Sequence, residues 1–313
     1  MTRTAALAAL SLAALLALGA AATPSAAQHL HHAAPGPAPA AGSAEAAAAA
    51  QAAKSLPSAP LSGRIVYGEA VPFGSGTART LAAVDLDGTP KTVGVSLSPT
   101  ALDGLPAEPP ADDTGWLYRL PLPGGVKLPP YDHVGLYWNP KGHEPHGVYT
   151  IAHFDVHFFM SRAEDLDQIT VMDRDLERAY RLPPASAIPP GYILPPNSQH
   201  RRMGVHWVDT SSAELHGATF TATFILGSYD AQINFLEPMI TRAFLASRPD
   251  LTRAVPQPAT YGREGWYPTT WAVRWDEGRG EYLVLLDGLK WQNAAQAPGT
   301  LAAAAERASQ SGR

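Results

Sequence analysis

The chain has 313 residues, a formal charge of −5 and no cysteine. The charge provides no basic footprint and argues against nucleic acid as a partner. The missing cysteines exclude disulfides, a cysteine-linked lipid anchor and every thiolate metal site, so the fold must be held by its core or by another cross-link such as a metal.

The chain opens as a secretory signal. Arg3 supplies a positive start, Ala5 to Ala22 form an uncharged apolar run, and Ser25-Ala26-Ala27 matches the small-residue cleavage pattern. The competing reading is a membrane anchor, but the run is dominated by alanine, which gains little in lipid. Residues 1–27 are therefore read as a signal peptide. The mature protein is expected to be exported, periplasmic or extracellular, with no transmembrane span after cleavage. Residues 28–62 are Ala/Pro low complexity, too poor in large apolar side chains to offset the entropy of ordering, and read as a disordered tether. Residues 294–313 read as a disordered tail. Residues 63–293 remain as a single β-rich domain.

Within it, "TLAAVDLDGTPKTVGVSLS" holds two extended runs around Asp87-Gly88, a hairpin signal. A turn of helix is expected after Ser98. "SRAEDLDQI" places Ser161 and Glu164 at capping-box spacing and predicts a short helix. "ATFTATFILGSYDAQINFLEPM" alternates Phe220, Ala222 and Phe224 with threonines and is expected to turn at Gly227 to Asp230. "TRAFLASR" reads as a third short helix, and "TTWAVRWDEGRGEYLVLLDG" as a hairpin turning at Asp276 to Gly280. Thirty prolines restrict where ladders run, and the loops they build must pack on a sheet core. The expected fold is mainly β, an antiparallel sandwich or flattened barrel with a few short helices. A doubly wound α/β fold lacks its crossover helices.

"GHEPHGVYTIAHFDVHFFMS", residues 142–161, carries four of the eleven histidines. In "HFDVHFF" the side chains of Phe154, Val156 and Phe158 share one parity, and those of His153, Asp155 and His157 the other. A strand therefore buries the first set and lines its opposite face with the second. Residues two apart in a strand stand about 6.8 Å from each other, so Asp155 with one flanking histidine can hold an ion. Asp155 can instead orient an imidazole from beside the ligand set. "RRMGVHWVDT" offers His206, and "INFLEPMIT" places Glu237 before Pro238 at an expected strand end. A carboxylate closing an apolar run needs a partner. His143, Glu144 and His146 lie in a Pro/Gly loop that either covers the site or is simply exposed. The plainer alternative for the whole set is a solvated sheet face.

The blocks "YDHVGLYWNPKGHEPHGVYTIAHFDVHFFM", "MGVHWVD" and "GSYDAQINFLEPMIT", preceded by "GEAVPFGSGTARTLAAVDLDGTPKTVGVSLSPTALDGLP", resemble a bacterial family of exported proteins classified as a domain of unknown function. The resemblance spans roughly residues 64 to 245 and implies a shared fold and a shared His-rich site, but no activity. This chain carries Ala231 where the family-like hairpin carries glycine, which leaves the turn type open.

These features point to an exported cell-envelope protein with a metal site drawn from His153, Asp155, His157, His206 and Glu237. Imidazole and carboxylate without thiolate suit a divalent transition metal, Zn, Fe, Mn or Cu. The alternative is a metal-dependent enzyme, a cupin-like oxygenase or lyase or a hydrolase. A third reading is a metal-free module that uses tryptophans such as Trp116 and Trp266 to bind glycan or protein. A small-molecule ligand and self-association are both open.

Overall fold

Strands whose apolar residues alternate need neighbours along their edges and a second layer over the apolar face. The computed structural model describes residues 55–111 and 115–295, and in it two antiparallel sheets share one core. In chain order the strands begin with β1 (Arg64–Tyr67), β2 (Val71–Phe73), β3 (Gly76–Val84), β4 (Pro90–Leu97), β5 (Trp116–Pro121) and β6 (His133–Asn139). There follow β7 (His153–Phe159), β8 (Tyr192–Ile193), β9 (Gln199–His200), β10 (Gly204–Asp209), β11 (Ala222–Tyr229) and β12 (Gln232–Thr241). The last are β13 (Asp250–Ala254), β14 (Gly265–Tyr267), β15 (Thr270–Asp276), β16 (Glu281–Asp287) and β17 (Lys290–Gln292).

The first sheet runs β1-β3-β4-β16-β15-β13, with β2 on β3. The second runs β5-β6-β7-β12-β11-β10-β8, with β9 on β10, and β14 pairs β17 as a small ribbon. Val93, Val95 and Leu97 of β4 and Val284 and Leu286 of β16 share a core with Leu136 and Trp138 of β6, Phe154, Val156 and Phe158 of β7, and Leu236 and Ile240 of β12. Rings join the layers: Phe73 lies 5.9 Å from Phe154, and Phe224 lies 5.7 Å from Trp271. The fold is mainly β, and of the two expected architectures it is the sandwich.

The outer face of the second sheet positions the candidate site. Alternation turns His153, Asp155, His157 and Phe159 outward from β7, Phe235, Glu237 and Met239 from β12, and His206 and Val208 from β10. Two apolar clusters sit on this face. One holds Tyr137, Phe159, Leu166, Ile169, Met203 and Phe235, and the other Tyr149, Val208, Phe220, Ile225 and Met239. On β12, Glu237 stands between Phe235 of the first cluster and Met239 of the second.

Several local expectations need correction. The helix after Ser161, α1 (Ala163–Leu166), starts from Arg162 and has no side-chain cap, so Ser161 and Glu164 form no capping box. A second helix, α2 (Asp173–Ala179), departs from the sequence expectation; three acidic and two basic side chains mask its weak apolar pattern. The third, α3 (Arg242–Ala246), is capped by Thr241, which accepts from the Phe244 amide at 3.2 Å. The segment after Ser98 forms hydrogen-bonded turns and no helix. The β11–β12 hairpin turns at Asp230-Ala231, both at positive φ (49° and 65°), while Gly227 lies within β11 at a register shift. Helix α2 and the residues just after it hold that pair: the Asp230 and Ala231 amides donate to the carbonyls of Arg178 and Arg181, and both arginines pair with the Asp230 carboxylate.

The signal peptide and residues 28–54 of the tether lie outside the described residues, as does the tail beyond Ala295. Residues 55–62 pack on the first sheet, so the tether boundary at 62 is too late. Leu56 donates its amide to the Thr252 carbonyl at 2.7 Å, Ser55 accepts from the Thr252 amide at 3.1 Å, and Arg274 donates to the Ala59 carbonyl. Leu61 packs on the outer cluster of Leu81, Leu283 and Leu285. Low complexity hid this because the contacts are made by serine hydroxyls and backbone groups, which meet the edge strand β13 and Arg274 of β15. Replacing residues 55–62 with a Gly/Ser linker of equal length should remove about 2 kcal/mol of net hydrogen bonding and packing. That lowers the melting midpoint by roughly 5 °C. A midpoint unchanged within a degree would return these residues to the tether.

Candidate metal centre

The pairing of β12 with β7 matches Leu236 to Phe158 and Met239 to Asp155, which sets Glu237 across from His157. The ladder is interrupted at Glu237 and Pro238, where proline removes a donor. Glu237 is thus in mid-strand, not at the strand end its Pro238 suggested. On the other flank, His206 pairs with Gly227 of β11, and Gly227 with Phe235. A Cβ on Gly227 would stand 2.0 Å from Phe235 Cζ, so glycine leaves room for that ring over β11. The Phe235 ring packs 4.7 Å from His157 and 5.0 Å from His206. His157 also stacks on Phe159 at 5.1 Å.

These contacts bring three ligand atoms together. His157 Nε2 lies 3.3 Å from Glu237 Oε2, and His206 Nε2 lies 3.8 Å from the same oxygen. Two ligands each about 2.1 Å from a tetrahedral ion stand about 3.4 Å apart, so these separations match a coordination edge. They do not match a hydrogen bond: His157 Nε2 and Glu237 Oε2 are buried and have no hydrogen-bond partner. His206 shows why. Its Nδ1 lies 2.9 Å from the Ser198 carbonyl, which can only accept, so Nδ1 carries the proton. In the neutral ring Nε2 then directs a lone pair at the carboxylate.

Burial sets the charges. It drives His157 down to about 3, against the pull of Asp155. Burial, followed by the neighbouring His200 and His157, pushes His206 well below its ordinary value. Burial and then the Asp155 charge push the Glu237 carboxyl well above its usual range. Without a cation the trio is two neutral imidazoles around a protonated carboxyl. A divalent ion would take the place of that proton and meet His157 Nε2, His206 Nε2 and Glu237 Oε2 together.

A second group lies along the same face. Asp155 Oδ1 is 3.1 Å from His153 Nε2, and Oδ2 is 3.3 Å from His143 Nε2. Asn139 of β6 donates to Oδ2 at 2.7 Å. Burial alone would raise the Asp155 carboxyl, but His153 and His143 outweigh it and hold it well below the carboxylate range. Burial lowers His143, and the hydrogen bond and charge of Asp155 overcome this and raise it.

The five predicted ligands therefore do not form one set. His157, His206 and Glu237 converge, and His153 and Asp155 belong to the other group with His143, which is a member of that group and not only a cover. Glu144 lines the cavity, whereas His146 is exposed and pairs with Glu144 at 3.0 Å. The stripe is no solvated face, since His153, Asp155, His157 and Glu237 are all at most 4 % exposed. Both groups border a cavity of about 560 Å³, walled by the Pro-rich loop through Pro195, Pro196 and Asn197. Sequence reasoning missed His200, whose ring lies 4.9 Å from His206 and 6.3 Å from His143. It sits in that loop's "NSQH" end, and only its pairing with β10 brings it to the site.

Comparison with known proteins found no matching family model, curated protein or solved structure. The resemblance noted above stands on its sequence blocks alone.

The depressed His157 value has a consequence for the chelated protein. Below pH 6.5 the unfolded chain protonates this ring, and the folded protein does not until about pH 3. Stability is therefore present above 6.5 and lost as pH falls through that window, by up to about 1.4 kcal/mol per unit. Glu237 acts in the opposite sense: its raised carboxyl contributes stability at low pH that is lost as pH rises through its folded value. Melting of chelated protein between pH 6.5 and 4 should show the midpoint falling with pH, and His157→Phe should flatten that slope. An unchanged slope in the variant would mean His157 is not held neutral.

Proposed function

We propose that this protein is an exported cell-envelope β-sandwich that binds a divalent transition metal through His157, His206 and Glu237. The observation that carries the reading is the buried Glu237 oxygen, which has no donor and faces imidazole nitrogens. One of those rings is anchored through its other nitrogen to a carbonyl, the usual device for orienting a metal-bound histidine. The ligand set suits Zn, Fe, Mn or Cu. Export rests on the N-terminal sequence.

The cavity favours a second reading, a metal-dependent enzyme. Its volume falls within the range of small-molecule sites, and its wall mixes Ile193, Val208, Ile225 and Met239 with Asn197 and Arg201. His157, His206 and Glu237 would hold the metal at the wall of that space, which all three residues line. A metal bound there supplies Lewis-acid polarisation of a substrate oxygen or activation of water. The chain's own part is to hold the ligands, exclude bulk water through the Phe235 and Met239 clusters, and seat an apolar body against Ile193 and Ile225.

The test is metal content and melting of protein purified without a His tag. Wild type should carry one more equivalent than Glu237→Gln, and chelator at pH 7.5 should lower its midpoint. Binding at one hundred times the dissociation constant contributes about 2.7 kcal/mol, or roughly 5–10 °C here. The glutamine amide can donate to the imidazole lone pairs as the protonated carboxyl does, and it has no proton to lose as pH rises. Glu237→Gln should therefore melt at or above chelated wild type and ignore chelator. Equal metal content in the two proteins would overturn the assignment.

A further inference from the structure

We propose a second divalent-metal site at His143, His153 and Asp155, beside the first and on the wall of the same cavity. Its ligands are separate from those of the first, so it does not depend on that assignment.

Both histidines are locked in one tautomer. His153 Nδ1 lies 2.7 Å from the Ile151 carbonyl, and His143 Nδ1 lies 2.7 Å from the Glu144 carbonyl. Carbonyls only accept, so each Nδ1 carries a proton and each Nε2 turns toward Asp155. The two nitrogens approach different oxygens, at 3.1 and 3.3 Å, close to the edge of a coordination polyhedron. The Asn139 amide holds the carboxylate in that orientation. His153 is fully buried, and its Nε2 and Asp155 Oδ1 have no hydrogen-bond partner. A proton on His143 Nε2 serves its contact with Oδ2 and leaves the His153 Nε2–Asp155 Oδ1 contact without a hydrogen bond. A cation at the point where the ligand atoms of the three residues converge would serve both contacts at once.

The position is also accessible. His143 comes from the loop after β6 and is part-exposed, and both His143 and Asp155 border the cavity. Asp155 and His157 are alternate residues of β7, about 7 Å apart along the strand, so the two ions are held as neighbours by separate ligand sets. His200, whose ring stands between His143 and His206, lies beside both.

The experiment titrates Co²⁺ into metal-stripped protein and counts bound equivalents by calorimetry and elemental analysis. Wild type should bind two. His143→Ala and Asp155→Asn should each bind one, Glu237→Gln should bind one, and the pair Asp155→Asn with Glu237→Gln should bind none. His143 lies on a part-exposed loop, so its variant reports on the site even if Asp155→Asn fails to fold. Anomalous diffraction from Co²⁺-soaked wild-type crystals tests it without substitution, by a peak among the three residues. One equivalent in wild type, kept by His143→Ala and lost by Glu237→Gln, overturns the second site and leaves the first standing. One equivalent lost by His143→Ala and kept by Glu237→Gln supports this site and overturns the first. No binding at all overturns both.

Discussion

Two carboxylates and four imidazoles lie on one face of a β-sheet, and most of their facing atoms are acceptors. Asp155 and Glu237 are almost wholly buried, and three of the four histidines give their Nδ1 protons to backbone carbonyls. A buried carboxylate against an imidazole lone pair costs free energy unless a proton or a cation lies between them. The surrounding architecture makes that confrontation unavoidable. The Ser198, Ile151 and Glu144 carbonyls fix the tautomers, and the strand ladders fix the spacing.

The sandwich supplies rigidity by putting the site on central strands. β7 and β12 are neighbours in the middle of the second sheet, each paired on both edges, so their outward side chains cannot drift. Packing finishes the task. Gly227 makes space for the Phe235 ring, which packs against both His157 and His206, and Phe159 stacks on His157 and touches Phe235. The apolar clusters flanking the polar row lower the local dielectric, which is why His157 and His206 stay neutral and Glu237 holds its proton so strongly. In a chain without cysteine, an ion held by β7, β10 and β12 would be the one strong cross-link across this face.

Much of this was legible in the sequence. The parity of "HFDVHFF" predicts which side chains enter the core and which line the opposite face, because strand period is a local property. The hairpins at Asp87-Gly88 and Asp276–Gly280 are local too, and both form. The division of the stripe into two groups was not legible. It depends on the register between β7 and β12 and on which loop covers each end, and both are long-range. His143 enters only because its loop folds back over β7, and His200 only because β9 pairs with β10. The capping box failed for a related reason: Ser161 to Glu164 has the right spacing, but the chain leaves β7 so that Arg162 occupies the cap position. The packing of residues 55–62 is not legible because a few serine hydroxyls and backbone groups bonded to a distant sheet edge leave no mark on composition.

The central claim is that His206 is a neutral, Nδ1-protonated ring whose free Nε2 faces Glu237. Nitrogen-15 NMR of histidine-labelled, metal-stripped protein at pH 7 tests it most directly, with His206→Gln providing the assignment. The account predicts one protonated nitrogen and one free nitrogen for this ring, with the free Nε2 resonance shifting when Zn²⁺ is added. A His206 protonated on both nitrogens, or on Nε2 alone, would contradict it, because the ring would then donate to Glu237 and leave no lone pair for a metal.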